Sequence, residues 1–259
     1  MIQYWAQNNS RRGTSFSPTS IPNLALWLDA ADASTFTLDG SNNVEQWRDK
    51  SGGGRHVNQS TMANRPSYVT GVLNGLPVVR PDGINDWLES DAQTAATWYG
   101  SGTQQVTLMM LLGLVVQDPG KNNLIGGLNT SVGGGTNRLL IERQPVGIGS
   151  TDAVITAGGT SQFITAAPQA GTSWFIETIR WTNAGTPTLR RTNTAGTNTY
   201  NGLGTLTGTM GANQRAIVGY GATLAANFNL AEELIFARNI SDAEVAQVET
   251  AWLAKWGTI

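Results

Sequence analysis

Paired carboxylates are the first chemistry to look for in this sequence, because glycoside hydrolysis needs two of them facing one cleft. Glu89, Glu142 and Glu177 stand singly on separate predicted strands. Glu232 and Glu233 are adjacent, so on a strand their side chains point to opposite faces. The pattern therefore predicts a protein that is not an enzyme. A catalytic pair that only folding brings together is the alternative left open.

Nucleophilic catalysis needs a base beside the nucleophile, and His56 is the single histidine of the chain. There is no cysteine, which excludes disulfides and thiolate metal sites, and there is no Gly-x-Ser-x-Gly elbow. The run Gly133-Gly134-Gly135 lacks the Lys-Ser/Thr pair of a phosphate-binding loop. We interpret His56 as a structural or surface histidine and assign no catalytic residue.

Hard oxygen ligands at Asp82, Asn85 and Asp86 are the best candidates for a metal site, with Asp29 and Asp32 as further sources of oxygen. Ca²⁺ prefers about six to eight oxygen ligands, so this short string supplies part of a set. The alternative is that these aspartates begin or cap turns through Asx hydrogen bonds. We therefore predict no obligatory cofactor, with Ca²⁺ as an option at Asp82, Asn85 and Asp86.

Sugar binding would use an exposed aromatic platform with amide and carboxylate partners. Trp98 and Tyr99 are the candidate ligand-binding residues because they adjoin the Gly100-Ser101-Gly102 turn. The other tryptophans stand on apolar strands or on a helical stripe and are expected in the core. A packing role for Trp98 is the alternative, since large aromatic side chains mostly serve burial.

The composition is that of a turn-rich β protein with a neutral surface. Hydrophobic residues make up 40% of 259 and charged residues only 13%, with 31 glycines and a net charge of -2. No basic stripe exists, so we predict no nucleic-acid partner. The longest apolar run, Val106 to Val116, is too short to span a bilayer. No signal peptide is visible, which leads us to expect synthesis in a cytoplasm without export by the usual route.

The domain organisation is predicted to be a polar arm over 1–20 and one domain over 21–259. In the arm, Arg11 and Arg12 are candidate partner-docking residues. Short apolar, β-branched or aromatic runs between Gly- and Asn-rich turns predict strands. These strands are 24–29, 44–49, 67–70, 76–80, 86–90, 105–116, 138–143, 146–149, 153–157, 161–165, 173–182, 187–192, 214–220 and 228–237. Loops are expected over 126–137, 157–160, 183–186 and 193–213, and the last is either a long exposed hairpin or a flexible loop.

One helix is predicted at the carboxyl end. Ser241 and Glu244 form a capping box, and Ile240 and Val245 stand at the positions of a hydrophobic staple. Gly257 is predicted to end this helix. Helical spacing relates Val245, Val248, Trp252 and Trp256, which make one apolar stripe. We expect this helix on the surface of the β domain, with its tryptophans covering an apolar patch.

Several motifs at the two ends of the chain carry a resemblance to a known family. They are Leu26-Trp27-Leu28-Asp29-Ala30-Ala31-Asp32, Trp47-Arg48-Asp49-Lys50-Ser51-Gly52, Arg65-Pro66-Ser67-Tyr68, Asp82-Gly83-Ile84-Asn85-Asp86-Trp87-Leu88, Ala231-Glu232-Glu233-Leu234-Ile235-Phe236, Ile240-Ser241-Asp242-Ala243-Glu244 and Lys255-Trp256-Gly257. The chain resembles the concanavalin A-like lectin/glucanase jelly roll, in the laminin-G-like form found in phage virion and bacterial surface proteins. The resemblance covers 21–90 and 214–257 well.

The resemblance implies an all-β, two-sheet antiparallel jelly-roll sandwich with one C-terminal surface helix, whose two ends meet. The family usually has Phe before Asp-Gly, whereas Arg80-Pro81 stands there, which puts the edge of that strand in doubt because proline cannot donate to a ladder. Glucanases of this fold carry Glu-x-Asp-x-x-Glu on one strand, and the sequence has no such segment.

The functional prediction follows from these absences and from the resemblance. We predict a non-enzymatic structural protein of a bacteriophage virion, as a capsid decoration or fibre component. It would act through protein–protein contacts with other virion proteins, as a homo-oligomer without a membrane partner. The alternative is a carbohydrate-binding, lectin-like module that recognises host surface glycans, with or without Ca²⁺.

Overall fold

The structure is a computed structural model that describes residues 16–116, 123–130, 137–143, 153–166, 174–219, 227–257 and 259. The strands over 24–90 are β1 (Leu24–Asp29), β2 (Phe36–Leu38), β3 (Val44–Trp47), β4 (Val57–Asn58), β5 (Ser67–Leu73), β6 (Leu76–Arg80) and β7 (Trp87–Ser90). Later strands are β8 (Gln105–Val116), β9 (Asn123–Asn129), β10 (Arg138–Arg143), β11 (Ala153–Ala157), β12 (Thr160–Ile164), β13 (Trp174–Thr182), β14 (Thr188–Asn193), β15 (Gly196–Asn201), β16 (Arg215–Gly219) and β17 (Asn227–Phe236). The helices are α1 (Ala95–Tyr99) and α2 (Asp242–Trp256), with 3₁₀ turns at Pro18–Ser20, Ala33–Thr35 and Met62–Asn64.

Two antiparallel sheets form a sandwich, as the sequence predicts. The first sheet has the order β15-β14-β13-β8-β17-β6-β5, and β1 also pairs with β17. The second sheet has the order β12-β11-β10-β9-β16-β7-β4-β3-β2. Trp27 of β1 lies opposite Leu234 of β17, so the two ends of the chain meet inside the first sheet.

The first sheet is covered on both faces. On its inner face Met110 of β8 points across to the second sheet, where a Cβ added to Gly126 of β9 would lie 3.2 Å from its methyl group. On its outer face lies α2, whose Glu249 accepts hydrogen bonds from Arg190 and Thr192 of β14. Because neither face of β8 meets water, its sequence is a nearly continuous apolar run.

Helix α2 has the ends that its sequence predicts. The Ser241 hydroxyl accepts from the Glu244 N–H, and the Glu244 carboxylate accepts from the Ser241 N–H. Trp252 and Trp256 are buried, and Gly257 follows with a positive φ of 81°. Neither α-helix of the described residues is long and apolar enough for a membrane crossing.

Strand β9 is the main departure from the predicted loops. The prediction placed a loop over 126–137, whereas β9 continues to Asn129. A Cβ on Gly126 would lie 2.5 Å from the Ile217 carbonyl oxygen, and one on Gly127 would lie 2.2 Å from that of Leu139. These glycines therefore serve close packing of neighbouring backbones and do not end the strand.

Other differences are smaller. The short strands β2 and β4 were not predicted, whereas β15 forms a hairpin with β14, one of the two alternatives for 193–213. Strand β6 ends at Arg80, so Pro81 lies just outside its ladder. The predicted strand 146–149 lies outside the described residues. The same holds for most of the predicted arm, including Arg11 and Arg12. From the arm, Phe16 is described and packs against the core, and Pro18–Ser20 forms a 3₁₀ turn.

Candidate functional site

A polar pocket of about 500 Å³ lies at the edge of the sandwich, where the start of β1 meets the end of β17. Its volume falls within the range of ordinary small-molecule sites. Amide, hydroxyl and guanidinium groups dominate its lining, which is formed by Asn23, Leu24, Ala25, Arg55, Ala96, Thr97, Tyr99, Gly100, Ser101, Thr103, Gln105, Ala237 and Arg238. We call this cavity the polar pocket.

The loop over 49–56 carries Arg55 into one wall of the polar pocket, and Asp49 holds that loop in shape. The Asp49 carboxylate accepts hydrogen bonds from the backbone N–H groups of Trp27 (3.0 Å), Ser51 (2.8 Å) and Arg55 (3.0 Å). Its own N–H donates to Nδ1 of His56 at 3.0 Å. The single histidine therefore braces this loop, and Asp49 fixes the backbone from which Arg55 projects.

Arg55 is half-buried and held in one orientation. Its Nε–H donates to the carbonyl oxygen of Ala25, and its guanidinium carbon lies 5.8 Å from the ring centroid of Trp98. The guanidinium lies directly over Gly53, where an added Cβ would be 1.8 Å from Nη2. The absence of a side chain at Gly53 is therefore what gives the guanidinium its place.

The opposite wall comes from the turn after α1. Gly100 has a φ of 73°, and a Cβ there would lie 2.7 Å from the carbonyl oxygen of Ala237. Only glycine combines this left-handed conformation with such a close backbone approach. The wall therefore depends on Gly100, and it presents Ser101 and Thr103 toward the cavity.

Trp98 and Tyr99 do not form the exposed platform expected from the sequence. Both are fully buried, because α1 turns their rings into the sandwich. Trp98 Nε1–H donates to the Gln214 carbonyl oxygen at 3.0 Å, and the Tyr99 hydroxyl donates to Gln214 Oε1 at 3.3 Å. Trp98 thus supports the polar pocket from beneath, and Tyr99 belongs to its lining.

Arg238 is the second cation of the polar pocket, and it is already paired. Its guanidinium donates to Glu244 of α2 and, through Nε, to the carbonyl oxygen of Pro22 at 3.1 Å. Two hydrogen bonds lower the pKa of Glu244 to about 2: the larger effect comes from Arg238 and a smaller one from the Ser241 N–H. The charge of Arg238 is therefore balanced by the helix, whereas no carboxylate of the described residues forms an ion pair with Arg55.

The calcium candidates Asp82, Asn85 and Asp86 lie together on one turn. Asp82 Oδ1 accepts from the N–H groups of Ile84 (2.7 Å) and Asn85 (3.2 Å), while the Asn85 amide donates to Asn64 at 2.8 Å. Burial is the main cause that raises the pKa of Asp86 to about 7, and the negative charge of Asp82 adds a smaller effect. Within the described residues no three acidic or histidine side chains group as a metal site would require, and Ca²⁺ binding here stays a prediction.

The other aspartates considered as calcium ligands are neutralised by lysine. Lys50 Nζ lies 2.8 Å from both Asp29 and Asp32, and Lys255 also contacts Asp29. Asp32 in addition caps a 3₁₀ turn by accepting from the Ser34 N–H. These contacts match the turn-capping interpretation of Asp32.

Two glutamates, one on β13 and one on β17, lie on the same face of the first sheet, a placement that the sequence left open. Glu177 and Glu233 both lie opposite Met110 of β8, so they share the inner face of the first sheet, two strand spacings or about 10 Å apart. Both are fully buried, and Glu177 accepts from Arg191 Nε at 2.8 Å. Glu232 points to the other face, where it accepts from Trp27, Lys255 and Trp256.

A second, larger cavity of about 740 Å³ runs beside α2, and we call it the helix groove. Its lining is mainly apolar and includes Phe16, Pro18, Trp27, Trp252 and the small side chains of α2. The few polar groups include Glu232, whose two oxygens already accept three hydrogen bonds. This groove suits an apolar segment better than a polyhydroxylated ligand.

A comparison with protein families finds no match, and neither does one with curated protein sequences. Solved structures do match. They include the binding domain of Paraclostridial Mosquitocidal Protein 1, with a TM-score of 0.62 and 13% identity, covering 91% of this chain and 55% of that chain. The binding domain of Botulinum Neurotoxin DC in complex with SialylT matches with a TM-score of 0.56 and 11% identity, covering 92% and 55%. An arabinofuranosidase complexed with arabinofuranosyl-alpha-1,2-xylobiose matches with a TM-score of 0.53 and 16% identity, covering 83% of this chain and 51% of that chain.

These similarities establish the fold, an all-β sandwich of two antiparallel sheets. The chain spans about half the length of these neighbours, so the match does not place their ligands on the shared part. Sequence reasoning missed Arg55 as a site residue. Its signal was the run Gly52-Gly53-Gly54 before an arginine, since such a run permits close approach of a long side chain.

Proposed function

We propose that this chain is a carbohydrate-binding, lectin-like module and that the polar pocket holds the glycan. The observation that carries the proposal is the pocket's lining of amide, hydroxyl and guanidinium groups on a rigid wall. Sugars present many hydroxyl groups, and a concave site with several fixed donors and acceptors can orient them. Binding domains and a sugar-complexed glycosidase among the structural neighbours support this class of ligand.

The proposed role is contact without catalysis. The polar pocket has no aspartate or glutamate in its lining. The carboxylates Glu177 and Glu233, which share one sheet face, are both buried away from solvent. A hydrolysis assay on β-glucans and arabinoxylans tests this part, and release of reducing sugar above background would overturn it.

The predicted virion role rests on the sequence resemblance and on the absence of a catalytic pattern and of a signal peptide. The structural neighbours named above are binding domains and an arabinofuranosidase, and they give no support to a capsid or fibre function. Virion location and homo-oligomer formation therefore stay predictions, which purification with particles and light scattering would test.

A glycan array tests the proposed function, with one variant that fills the polar pocket. Ala96 is exposed on α1 and lines the pocket, so Ala96→Trp fills it without removing a buried contact. Ala92→Trp is the matched control, because Ala92 is exposed and outside the lining. We expect binding by the wild type and the control and its loss in Ala96→Trp. Equal binding by all three would contradict the assignment, and repeating the array with a chelator tests the calcium prediction.

A further inference from the structure

The charge of the polar pocket is positive although the whole chain carries a net charge of -2. Its lining includes Arg55 and Arg238 and no acidic side chain. Arg238 is balanced by Glu244, so the uncompensated charge belongs to Arg55. A concave site with low-dielectric walls focuses such a charge on whatever ligand enters.

Asp49 is the acidic residue nearest to Arg55 in the sequence, and both of its carboxylate oxygens already accept hydrogen bonds. Asp49 accepts from three backbone N–H groups and from the Ser51 hydroxyl at 2.8 Å, so it holds the loop and makes no ion pair with the guanidinium. Of the guanidinium nitrogens, Nε is bonded to Ala25, and Nη1 has only a long contact of 3.5 Å to the Gly53 carbonyl oxygen. Within the described residues, the outer edge of the guanidinium therefore keeps donors available for a ligand.

We propose that the glycan bound in the polar pocket is acidic, a sugar bearing a carboxylate such as a sialic or uronic acid residue, and that Arg55 binds that carboxylate through Nη1 and Nη2. The inference rests on the proposed function, because it names the ligand class of the same site. Arginine suits this role, since its planar fork matches the two oxygens of a carboxylate and its charge strengthens both hydrogen bonds. Fixing Nε beforehand reduces the side-chain entropy lost on binding.

Titration calorimetry with 3′-sialyllactose, lactose and oligogalacturonate tests the inference. We expect the wild type to bind at least one acidic ligand more tightly than lactose and to bind it more weakly as salt is raised. Arg55→Gln should lower the acidic affinity about tenfold or more, the usual loss for a charge-assisted hydrogen bond. Arg48→Gln is the control, because Arg48 is exposed, bonds to Ser34 and Thr37, and lies outside the pocket.

A second variant protects the test from a folding defect, since Arg55 also donates to Ala25. Gly53→Ala keeps the arginine and displaces its guanidinium, which would otherwise lie 1.8 Å from the new methyl group. This variant should bind the acidic ligand more weakly than the wild type does and should bind neutral glycans with unchanged affinity. Equal binding of acidic and neutral glycans, or unchanged acidic binding in both variants, would overturn the inference. If neutral glycans bind and Ala96→Trp blocks them, the proposed function stands without it; if no glycan binds, both are wrong.

Discussion

At the scale of single residues, the interior of the sandwich contains a carboxyl group that the fold does not stabilise. Glu233 is fully buried between Leu28 and Met110, and neither of its oxygens has a hydrogen-bond partner among the described residues. Burial raises the pKa of Glu233 well above its usual value. Burial therefore favours the neutral, protonated form of this carboxyl group, and ionising it costs stability.

Glu233→Met should stabilise the protein, because it replaces an unsatisfied buried carboxyl with an apolar side chain of similar size. In the wild type, Glu233 contributes a loss of stability as pH rises above the ordinary glutamate pKa and toward its raised folded value. The gain from the substitution should be about 1–3 kcal/mol at neutral pH and smaller near pH 4. Urea unfolding at several pH values measures it, and an equal or smaller stability for the methionine variant would contradict this account.

Asp86 makes a second, separable contribution to the pH dependence. Because its pKa is raised from 3.8 to about 7, the folded protein binds a proton there more tightly than the unfolded chain does. Stability should therefore fall as pH rises from about 4 to about 7. Asp86→Asn should flatten that fall, and an unchanged slope of unfolding free energy against pH would show that Asp86 titrates normally.

At the scale of elements, strand β9 shows why part of the fold escaped prediction. Alternation, β-branched content and turn signals located most strands, and the capping box of Ser241 and Glu244 located α2. Gly126 and Gly127 point locally to a loop, yet contact with β10 and β16 makes them strand residues. The local sequence does not show which neighbouring strand requires a glycine, because that strand is distant in the chain. Such strands can therefore be recognised only once the sheet is known.

Gly127→Ala should therefore be strongly destabilising. Gly127 has a φ of 135°, and its Cβ would meet the Leu139 carbonyl oxygen at 2.2 Å, which backbone of a paired strand cannot avoid. We expect a loss of about 3 kcal/mol or more, or failure to fold. Gly40→Ala is the control, since nothing lies within 4 Å of its Cβ, and it should change stability little. Similar melting temperatures for both variants would rule out this role for Gly127.

The polar pocket was likewise only partly predictable. The sequence placed Trp98 and Tyr99 beside the turn that borders the polar pocket, but the direction of their rings depends on Gln214, which is distant in the chain. Arg55 was overlooked because its importance comes from the absence of a carboxylate partner in the folded protein. Charge pairing is a property of the tertiary structure, and spacing in the sequence does not reveal it.

At the scale of the whole molecule, the two ends of the chain are joined in one body. β1 pairs with β17. Glu232 of β17 bonds to Trp27 of β1 and to Trp256 of α2, and Lys255 contacts both Asp29 and Glu232. Elements from the two ends of the chain therefore stabilise each other, which favours cooperative unfolding.

Differential scanning calorimetry should therefore show one unfolding transition, with a calorimetric enthalpy equal to the van't Hoff enthalpy. Trp256→Ala should shift that single transition downward, by a stability loss of about 3–5 kcal/mol, because a buried ring and its hydrogen bond to Glu232 are removed. Two resolved transitions, or a shift of only part of the heat absorption, would show that the ends fold separately.

We propose that this sandwich acts by holding a sugar in the polar pocket. A crystal structure of the chain with the strongest-binding glycan from the array would locate the sugar. We expect electron density for the sugar beside Arg55 and the Gly100 turn, with a carboxylate at the guanidinium. Density for the sugar in the helix groove, or anywhere else on the surface with the polar pocket filled only by water, would contradict it.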